Sequence, residues 1–470
     1  MPGRFYEGEN KVRPGIYYNE QSEDDGIQIA AARNGIVAVA FRANWGPLGK
    51  VVTIDDPSEI SAYYGDDSGD GSYVSIIKKI MAGGAATIKA IRVGKGGSNA
   101  TVTLKDSAGA DAVTLTAAHP GNRPLTVTIK DSLAIQTQRE CIIYSGVTEL
   151  MKVAFTKGGA EAEALVAAIS AVENAAVTAT KLESTAELAV VSQSEFTAGT
   201  SPEITSADYS AAFDLLEAEV FNTVCVDTTD DAVRELLKSF VLRASNDGLL
   251  ATGVTADDVT VDFATRKEHA LAMNTQYMHH VINGFKIGDM VYTGADAAAY
   301  VAGVIAAVPC NDSITHHKVS GATEVVGGLT NAQIIEALEC GCIVFTTASS
   351  GAVWIEQGIN TLTTLASKQD AGWKKIRRTK TRFELITRIN ESAESVPGDI
   401  NNDTNGHVTI KAIANGVINA MISEGKLVSG TAELDANNPA VGDSVWFVLD
   451  VQDLDSVEKI YFTYKFHFSA

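Results

Sequence analysis

Two short stretches near the N-terminal end have residue types and spacings that could support chemistry. The loop from Asp66 to Gly71 matches the first half of an EF-hand calcium loop. Position twelve of that loop would be Ile77, where calcium binding needs a bidentate glutamate. Ser75 and Lys78 have the spacing of a Ser/Lys nucleophile pair, but they lie on an amphipathic helix without the companion motifs. We therefore expect a polar loop and an ordinary helix here.

Three other patterns also lack a part that their chemistry requires. The run Gly94–Gly97 has neither the GK[ST] ending nor the following helix of a phosphate-binding loop. Cys340 and Cys342 have no second cysteine pair to complete a zinc site, and the nearest histidine pairs are distant in sequence. Neither HExxH nor GxSxG occurs. The sequence predicts no catalytic residue, no cofactor and no metal site, and an α/β enzyme with an unrecognised site stays open as the alternative.

Composition narrows the class of protein. The chain has 470 residues, 45% of them hydrophobic, which is enough for several domains with sizeable cores. Its net charge of −21 argues against nucleic-acid binding, which needs a basic surface. The longest apolar stretch, 297–308, is about half of the roughly 20 residues that a membrane span needs. Because this stretch is too short, we expect no membrane insertion. The five cysteines are odd in number and scattered, so we expect reduced thiols.

The elements around these patterns alternate in the manner of an α/β protein. A buried strand at 35–41 is followed by helices near 58–64 and 73–82 and by a strand at 86–93. The alternation resumes after residue 202, with a helix expected over 262–278 and another over 295–307. The fold class expected is α/β and α+β multidomain.

Changes in composition divide the chain into five segments. From Ser98 to Ser201 the sequence is rich in Ala, Thr and Val, alternates as half-exposed strands, and contains no tryptophan. We expect the following organisation: an N-terminal arm (1–34), the first part of the α/β core (35–97), an inserted β-rich peripheral domain (98–201), the central α/β core (202–365), and a C-terminal α+β domain with a terminal donor strand (366–470).

Both ends of the chain have strand character. The last stretch alternates so that Ile460, Phe462, Tyr464, Phe466 and Phe468 share one face. Tyr461 and Thr463 fall on the other face. Such a strand either closes its own sheet or adds to a sheet edge on another copy. The N-terminal arm carries a second extended aromatic piece: Ile16, Tyr17 and Tyr18. We therefore predict strand exchange between subunits through both ends.

A dense basic run interrupts the otherwise acidic chain. From Ala366 onwards there are 12 Lys and Arg against 14 Asp and Glu, a net of −2, and the remaining 25 and 44 leave −19. The run contains six cations: Lys374, Lys375, Arg377, Arg378, Lys380 and Arg382. A charge run is usually a solvated face, and contact with an acidic protein partner is the second interpretation.

Several segments in order resemble the contractile phage tail sheath proteins. Val353 to Thr363, followed by Lys374-Lys375-Ile376-Arg377-Arg378, is similar to the "INTL…K-IR" signature of that family. The block 35–47, the "AG…S-T" segment near 302–315 and the terminal Glu458-Lys459-Ile460-Tyr461 agree with the same family. The likeness covers most of the chain and is faintest over 98–200.

The resemblance implies a structural role. It implies hexameric rings stacked helically around an inner tube, linked by terminal arms, and contraction without catalysis. It also implies contacts with the tube, baseplate and tail terminator proteins, within a virion tail or phage-tail-like particle assembled in the bacterial cytoplasm. Because the C-terminal part is nearly neutral and the rest of the chain is acidic, we further expect the six cations of the basic run to face the inner tube, with contact to acidic residues of neighbouring sheath subunits as the alternative.

Overall fold

The computed structural model describes residues 3–4, 17–18, 34–67 and 72–467. The chain divides into two compact units. One consists of Met1–Ala32 with Glu384–Leu454, and the other of Arg33–Phe383 with Asp455–Ala470. We call them the terminal unit and the main unit.

The main unit begins with alternating strands and helices. Before it, two short strands of the terminal unit, β1 (Gly3–Arg4) and β2 (Tyr17–Tyr18), pair in parallel. The first elements of the main unit are β3 (Ile36–Phe41), β4 (Val51–Ile54), α1 (Pro57–Tyr64), α2 (Ser75–Ala82) and β5 (Thr87–Arg92). Helix α1 starts where the sequence predicts, because Asp56 accepts from the Ser58 amide and Glu59 closes a capping box.

The inserted segment follows directly and forms two antiparallel sheets with one helix. Its elements are β6 (Asn99–Lys105), β7 (Asp111–Pro120), β8 (Thr126–Asp131), β9 (Gln138–Ser145), β10 (Thr148–Thr156), α3 (Glu161–Ser170), β11 (Val177–Lys181) and β12 (Val191–Glu195). The sheet orders are β11-β7-β6 and β10-β9-β8-β12. Their inner faces and α3 share a hydrophobic cluster that is distinct from the core of the central sheet. Trp45 joins that cluster from the core side.

The remainder of the main unit completes the central sheet. Its helices are α4 (Ser206–Leu216), α5 (Asp231–Asn246), α6 (Phe263–Met273), α7 (Ala295–Ala307) and α8 (Asn331–Glu339). Its strands are β13 (Thr223–Val226), β14 (Thr252–Ala256), β15 (Met278–Val281), β16 (Gly284–Ile287), β17 (Met290–Tyr292), β18 (Ala322–Val326), β19 (Cys342–Ile343), β20 (Phe345–Thr347) and β21 (Val353–Ile355). A 3-10 turn covers Ala371–Lys374.

The central sheet has seven strands in the order β19-β15-β14-β13-β3-β5-β4. All neighbours pair in parallel except β4, which runs antiparallel at one edge. Central strands such as β13 and β14 are buried along their whole length, as the near-continuous apolar runs of parallel strands require. Helix α7, almost wholly buried, packs on this sheet. The smaller sheets β17-β16-β18 and β20-β21 complete the unit.

The terminal unit contains a hairpin backed by a helix. Its elements are the end of α9 (Ile376–Ser392), α10 (Thr404–Ser423), β22 (Leu427–Leu434) and β23 (Phe447–Asp453). Val417, Ile418 and Met421 of α10 pack on Leu427 and Ala432 of β22. The α/β and α+β multidomain class is confirmed by these elements.

Two details differ from the sequence-based expectation. The helix expected over 262–278 ends at Met273, because Asn274 takes a left-handed conformation (φ +37) and Met278 already begins β15. The terminal unit starts at Glu384 rather than at 366. Residues just before it bond to the main unit: the Asn360 amide donates to the Lys374 carbonyl, and Lys380 donates to carbonyls at the end of α7.

Candidate assembly site

The segment after β23 presents an exposed row of aromatic side chains. Ile460, Tyr461, Phe462, Tyr464 and Phe466 are between 68% and 87% exposed. The ring centroids of Phe462 and Tyr464, and of Tyr464 and Phe466, lie 6.4 Å apart. This is close to the roughly 6.6 Å between alternate residues of an extended strand. The backbone therefore has strand geometry.

This segment pairs with no strand among the described residues. The described part, 460–467, includes Thr463 and is not hydrogen-bonded into a sheet. Phe468 lies outside the described residues. A soluble chain rarely exposes a contiguous apolar row of this kind unless it is an interaction site. The sequence pattern predicts a half-buried strand, and within a single chain nothing in the described structure buries it.

The root of the segment is held to the main unit by Glu458. Its Oε1 accepts from the Thr315 hydroxyl at 3.2 Å and its Oε2 from the Gln357 amide at 3.1 Å. The Lys375 ammonium lies 2.8 Å from Asp455 and 3.4 Å from Glu458. Although burial opposes ionisation of Asp455, the bond from Lys375 holds its pKa below the ordinary value. These contacts end where the aromatic row begins.

The hairpin β22-β23 has two edges, and one of them is closed within the chain. Both backbone groups of Ala432 in β22 bond to the Asn415 side chain of α10: the amide donates at 2.9 Å and the carbonyl accepts at 3.3 Å. They therefore point away from β23. Ala432 lies opposite Leu449. The two residues therefore form a non-hydrogen-bonded pair of the antiparallel ladder, in which the N–H and C=O groups of both members face outward.

The outer edge of β23 is open in the part of the chain that the structure describes. Because outward-facing residues alternate, Phe447, Leu449 and Val451 all direct their N–H and C=O groups away from β22. The Asp435 amide donates to the Trp446 carbonyl, which fits this alternation, since residue 446 faces β22. The described sheet contains two strands, and nothing in it pairs with this edge. An unpaired edge is a template for an incoming strand.

The N-terminal site residues are described only in part. Tyr17 and Tyr18 form β2, which pairs with Gly3 and Arg4. Ile16 lies outside the described residues. Strand character at this arm agrees with the sequence pattern, and its exchange with another copy stays a prediction.

The basic run is largely engaged inside the chain. Arg377 is buried. Arg378 lies 3.1 Å from Asp370, and Lys380 donates to the Ile305 and Val308 carbonyls. The remaining members are Lys375, which holds the C-terminal segment; Arg382, which stacks on Trp373 and donates to Gln276; and Lys374, which is half-buried. The six cations do not form one free cationic stripe, and their contact with a tube stays a prediction.

The position where a doubly wound enzyme would bind its ligand is bridged by an ion pair. In open α/β sheets ligands bind at the carboxyl ends of the strands where strand order reverses, here between β3 and β13. Arg42 follows β3 and Asp227 follows β13, with Nε and Oδ2 2.7 Å apart. The Tyr209 hydroxyl donates to the other Asp227 oxygen at 2.5 Å. The polar groups here satisfy one another.

A second carboxylate at this end of the sheet, Asp257, is also buried among partners. It accepts from Arg234, from His269 at 2.9 Å and from His280 at 3.0 Å. Burial alone would raise the pKa of Asp257, but the hydrogen bond from His280 and the charge of Arg234 hold it below the ordinary value. Burial lowers the pKa of His280 in spite of this carboxylate. An ionised Asp257 against a neutral His280 makes a structural network.

Metal-ligand clusters and membrane-spanning helices are both absent from residues 34–67 and 72–467. Nowhere in these ranges do three or more His, Cys, Asp or Glu cluster as metal ligands would. No helix within them has both the length and the apolarity to cross a bilayer. Ser68, Asp70 and Gly71 of the calcium-like loop lie outside these ranges.

Sequence reasoning missed the open edge of β23 and the contacts of Lys375 with Asp455 and Glu458. The strand β22 contains Gly430, which weakens the alternation that marks strands. Lys375 was placed with the basic run because its partners Asp455 and Glu458 are distant in sequence. The cluster of two carboxylates just before the aromatic row was the one local signal of an anchor.

Comparison with known proteins places the fold. Residues 202–361 match the family model described as the phage tail sheath protein central domain. The uncharacterized protein YqbK of Bacillus subtilis strain 168 is 23% identical over 477 residues, with 98% of each chain covered. The phage-like element PBSX protein XkdK of the same strain is 23% identical over 489 residues, again with 98% of each covered.

Solved structures agree over nearly the whole chain. The sheath tail protein of Desulfitobacterium hafniense superposes with a TM-score of 0.68 at 22% identity, covering 94% of this chain and 100% of that one. The helical sheath of the anti-feeding prophage, in its contracted state, gives a TM-score of 0.57 at 10% identity, covering 97% and 99%. The resemblance read from the sequence is thereby confirmed. The chain has the fold of the tail sheath proteins, and its residues 202–361 match the central domain of that family.

Proposed function

We propose that this protein is a structural subunit of a contractile tail sheath. It polymerises as stacked hexameric rings around an inner tube and contracts to drive the tube through a target cell envelope. The family match over 202–361 and the near full-length likeness to a contracted sheath support this proposal. The single observation that carries the assembly mechanism is an extended aromatic segment that nothing in the described chain covers, together with an open sheet edge.

The C-terminal segment acts as the donor strand. An added strand is held by backbone hydrogen bonds and set in register by alternate side chains. Each aromatic residue can bury about 150–250 Å². At roughly 25 cal/mol per Å², burying even half of that area on three rings stabilises a contact by about 5–9 kcal/mol before ordering costs. A gain of this size suits a link that must survive large movements of the subunits.

The acceptor is the outer edge of β23 on another copy. The β22 edge is already occupied at Ala432 by Asn415, whereas the outward N–H and C=O groups of Phe447, Leu449 and Val451 meet no partner strand among the described residues. The side chains of Phe447, Leu449 and Val451 lie on the face of the hairpin that packs toward α10, since Val451 contacts that helix cluster. An incoming strand with its aromatic face on the same side would extend this apolar face.

Charge favours the same pairing. The stretch 459–467 carries Lys459 and Lys465 and no acidic residue, a net of +2. Residues 384–454, which include the hairpin, carry 3 Lys and Arg against 11 Asp and Glu, a net of −8. Opposite potentials on donor and acceptor favour the encounter and oppose pairing between two acceptors.

The test places a proline on the open edge. Leu449→Pro removes an outward N–H that a donor strand needs, while the hairpin keeps its own ladder, because that N–H does not face β22. Leu449→Ala is the matched control: it loses the side chain but keeps the N–H. We expect the alanine variant to form cylinders in electron micrographs and the proline variant to stay as soluble, folded subunits.

Three outcomes would contradict the proposal. Cylinders formed by the proline variant would exclude β23 as the acceptor. Cylinders formed after deletion of Ile460–Ala470 would exclude the donor role, and small oligomers with a turnover activity would favour the α/β enzyme alternative. Deleting Met1 to Gly26 tests the corresponding role of Ile16, Tyr17 and Tyr18.

The proposal also includes the other proteins that the subunit contacts. We propose that the subunit also contacts an inner tube protein, a baseplate and a tail terminator, and that it has no catalytic activity, cofactor, nucleic-acid ligand or membrane insertion. Assembly takes place in the host cytoplasm and the product is a virion tail or phage-tail-like particle. Within the basic run, Lys374 is the member with an ammonium left for a tube surface, since its neighbours bond inside the chain.

A further inference from the structure

The root of the C-terminal segment is tied to the main unit by three side-chain donors. The Lys375 ammonium, the Thr315 hydroxyl and the Gln357 amide reach Glu458 at 3.4, 3.2 and 3.1 Å. Lys375 also contacts Asp455 at 2.8 Å. The donors come from separate parts of the sequence, so the tie fixes the segment in space as well as in charge.

This anchor differs from an ordinary surface ion pair. The Lys375 side chain is 21% exposed and that of Glu458 is 10% exposed, so water screens their interaction less than on an open surface. Lys375 immediately precedes helix α9, and the positive end of a helix stabilises nearby carboxylates. Arg378, in the first turn of the same helix, adds a favourable charge and helps to hold the pKa of Asp455 low.

We propose that Lys375 is a positioning residue for the donor strand. It holds Asp455 and Glu458 against the main unit, so that the aromatic row starts from a defined point and in a defined direction. This inference rests on the proposed function, because it assumes that the row is donated to another copy. It assigns to Lys375 a role that differs from contact with the tube.

The size of the effect follows from the length of tether that the anchor removes. With the anchor intact, the free chain starts after Glu458. Without it, the free chain starts at the end of β23, after Asp453. The five additional residues of flexible chain move the root by about 12 Å r.m.s., at about 5–6 Å times the square root of the residue number. Neighbouring strands are only about 4.8 Å apart, so the root would wander over more than two strand positions.

The test uses neutral substitutions in the full-length chain. Lys375→Gln removes the ammonium, Lys375→Arg keeps the charge, and Lys374→Gln makes the same change at the adjacent lysine, which has no ion-pair partner among the described residues. The first readout is the rate at which trypsin cleaves after Lys459 in dilute, unassembled protein. The second is the protein concentration at which cylinders form without tube protein.

We expect Lys375→Gln to be cleaved about five- to tenfold faster than the wild type, as loss of a charge-assisted contact implies. It should need a correspondingly higher concentration to form cylinders. Lys375→Arg and Lys374→Gln should match the wild type in both measurements. Asp455→Asn removes the charge of the partner carboxylate instead. This variant should show the same effect, and it replaces Lys375→Gln if that variant fails to fold.

The outcomes separate this inference from the proposed function. Unchanged cleavage, or faster cleavage with unchanged assembly, would overturn the positioning role. Weaker assembly with unchanged cleavage would also overturn it, because Lys375 would then act at another contact. If deletion of 460–470 stops assembly while the Lys375 variants behave as wild type, the donor-strand proposal is supported and the positioning role of Lys375 is refuted. If that deletion leaves assembly intact, the donor strand itself is refuted.

Discussion

His279, in the second strand from one edge of the central sheet, should be a source of acid sensitivity. It belongs to β15, it is fully buried, and both of its ring nitrogens lack a hydrogen-bond partner among the described residues. Burial, with a smaller contribution from the Lys380 ammonium, lowers the pKa of His279 to about 3. An unfolded histidine titrates near 6.5. We therefore predict that His279→Leu raises the free energy of unfolding, and raises it more at acidic pH.

The expected gain in the free energy of unfolding of His279→Leu has two parts. A buried polar group without a partner costs about 1–3 kcal/mol, and leucine, of similar volume, removes it at a packing cost of up to about 1.5 kcal/mol. The pH-dependent part follows from linkage. Because the folded pKa is below the unfolded one, the unfolded state binds the additional proton and stability is lost as pH falls below 6.5. Between pH 8 and pH 5 this loss is about 2 kcal/mol, and the leucine variant does not suffer it.

The assay is hydrogen exchange of the β15 amides, read by mass spectrometry at several pH values after correction for intrinsic exchange. Native-state exchange reports the opening free energy of this sheet even though the whole chain need not unfold in one step. His467→Leu, made at an exposed imidazole, is the matched control, since it removes a histidine but no buried one. If the gap between His279→Leu and the wild type stays constant from pH 8 to pH 5, the imidazole has a partner or a route to water, and the reasoning is refuted.

Three further changes test other parts of the chain. Excising the insertion between Ser98 and Thr200, whose backbones pair at its base, with a short linker should leave a folded protein that forms cylinders; loss of folding would show that Trp45 and its cluster belong to a shared core. The hydrogen bond from Arg388 lowers the pKa of Glu424 to about 2. Glu424 therefore stabilises the terminal unit fully above pH 4.5, and this stabilisation is lost as the pH falls toward 2. In urea titrations at several pH values, Glu424→Gln should reduce this loss of stability, and an unchanged pH dependence would contradict the prediction. Lys374→Glu should weaken assembly on the tube but not tube-free cylinders, and loss of both would place Lys374 between sheath subunits.

Local sequence patterns predicted much of the fold. Helix α7 has the bounds that its apolar stretch predicts, and β3 and β5 agree within a residue with their apolar runs. Such segments are legible because burial on the central sheet imposes the pattern residue by residue. The helix before β15 was extended too far, because its end depends on one residue, Asn274, whose left-handed conformation no periodicity reveals.

The roles of charged residues could not be read in the same way. Lys375 and Lys380 are members of one basic run, yet the first binds the C-terminal segment and the second binds the end of α7. Their partners lie about 70 to 80 residues away along the chain. A charge run indicates that cations are present, but it contains no information on which of them find a partner when the chain folds.

The proposed donor strand is visible in the sequence because its alternation is local, whereas the proposed acceptor edge needed the structure. Whether an edge is open depends on a residue such as Asn415, which lies on a helix and closes β22 from the side. The consequence concerns symmetry. The donor row and the acceptor edge are different surfaces of the same chain, so the contact between two copies is heterologous rather than self-complementary. Each copy then gives one strand and receives one, and unless two copies exchange strands reciprocally the contact passes from copy to copy. Such contacts close into a ring if the rotation between copies divides a full turn, and otherwise continue as a helix, and a sheath of stacked rings needs both kinds of propagation.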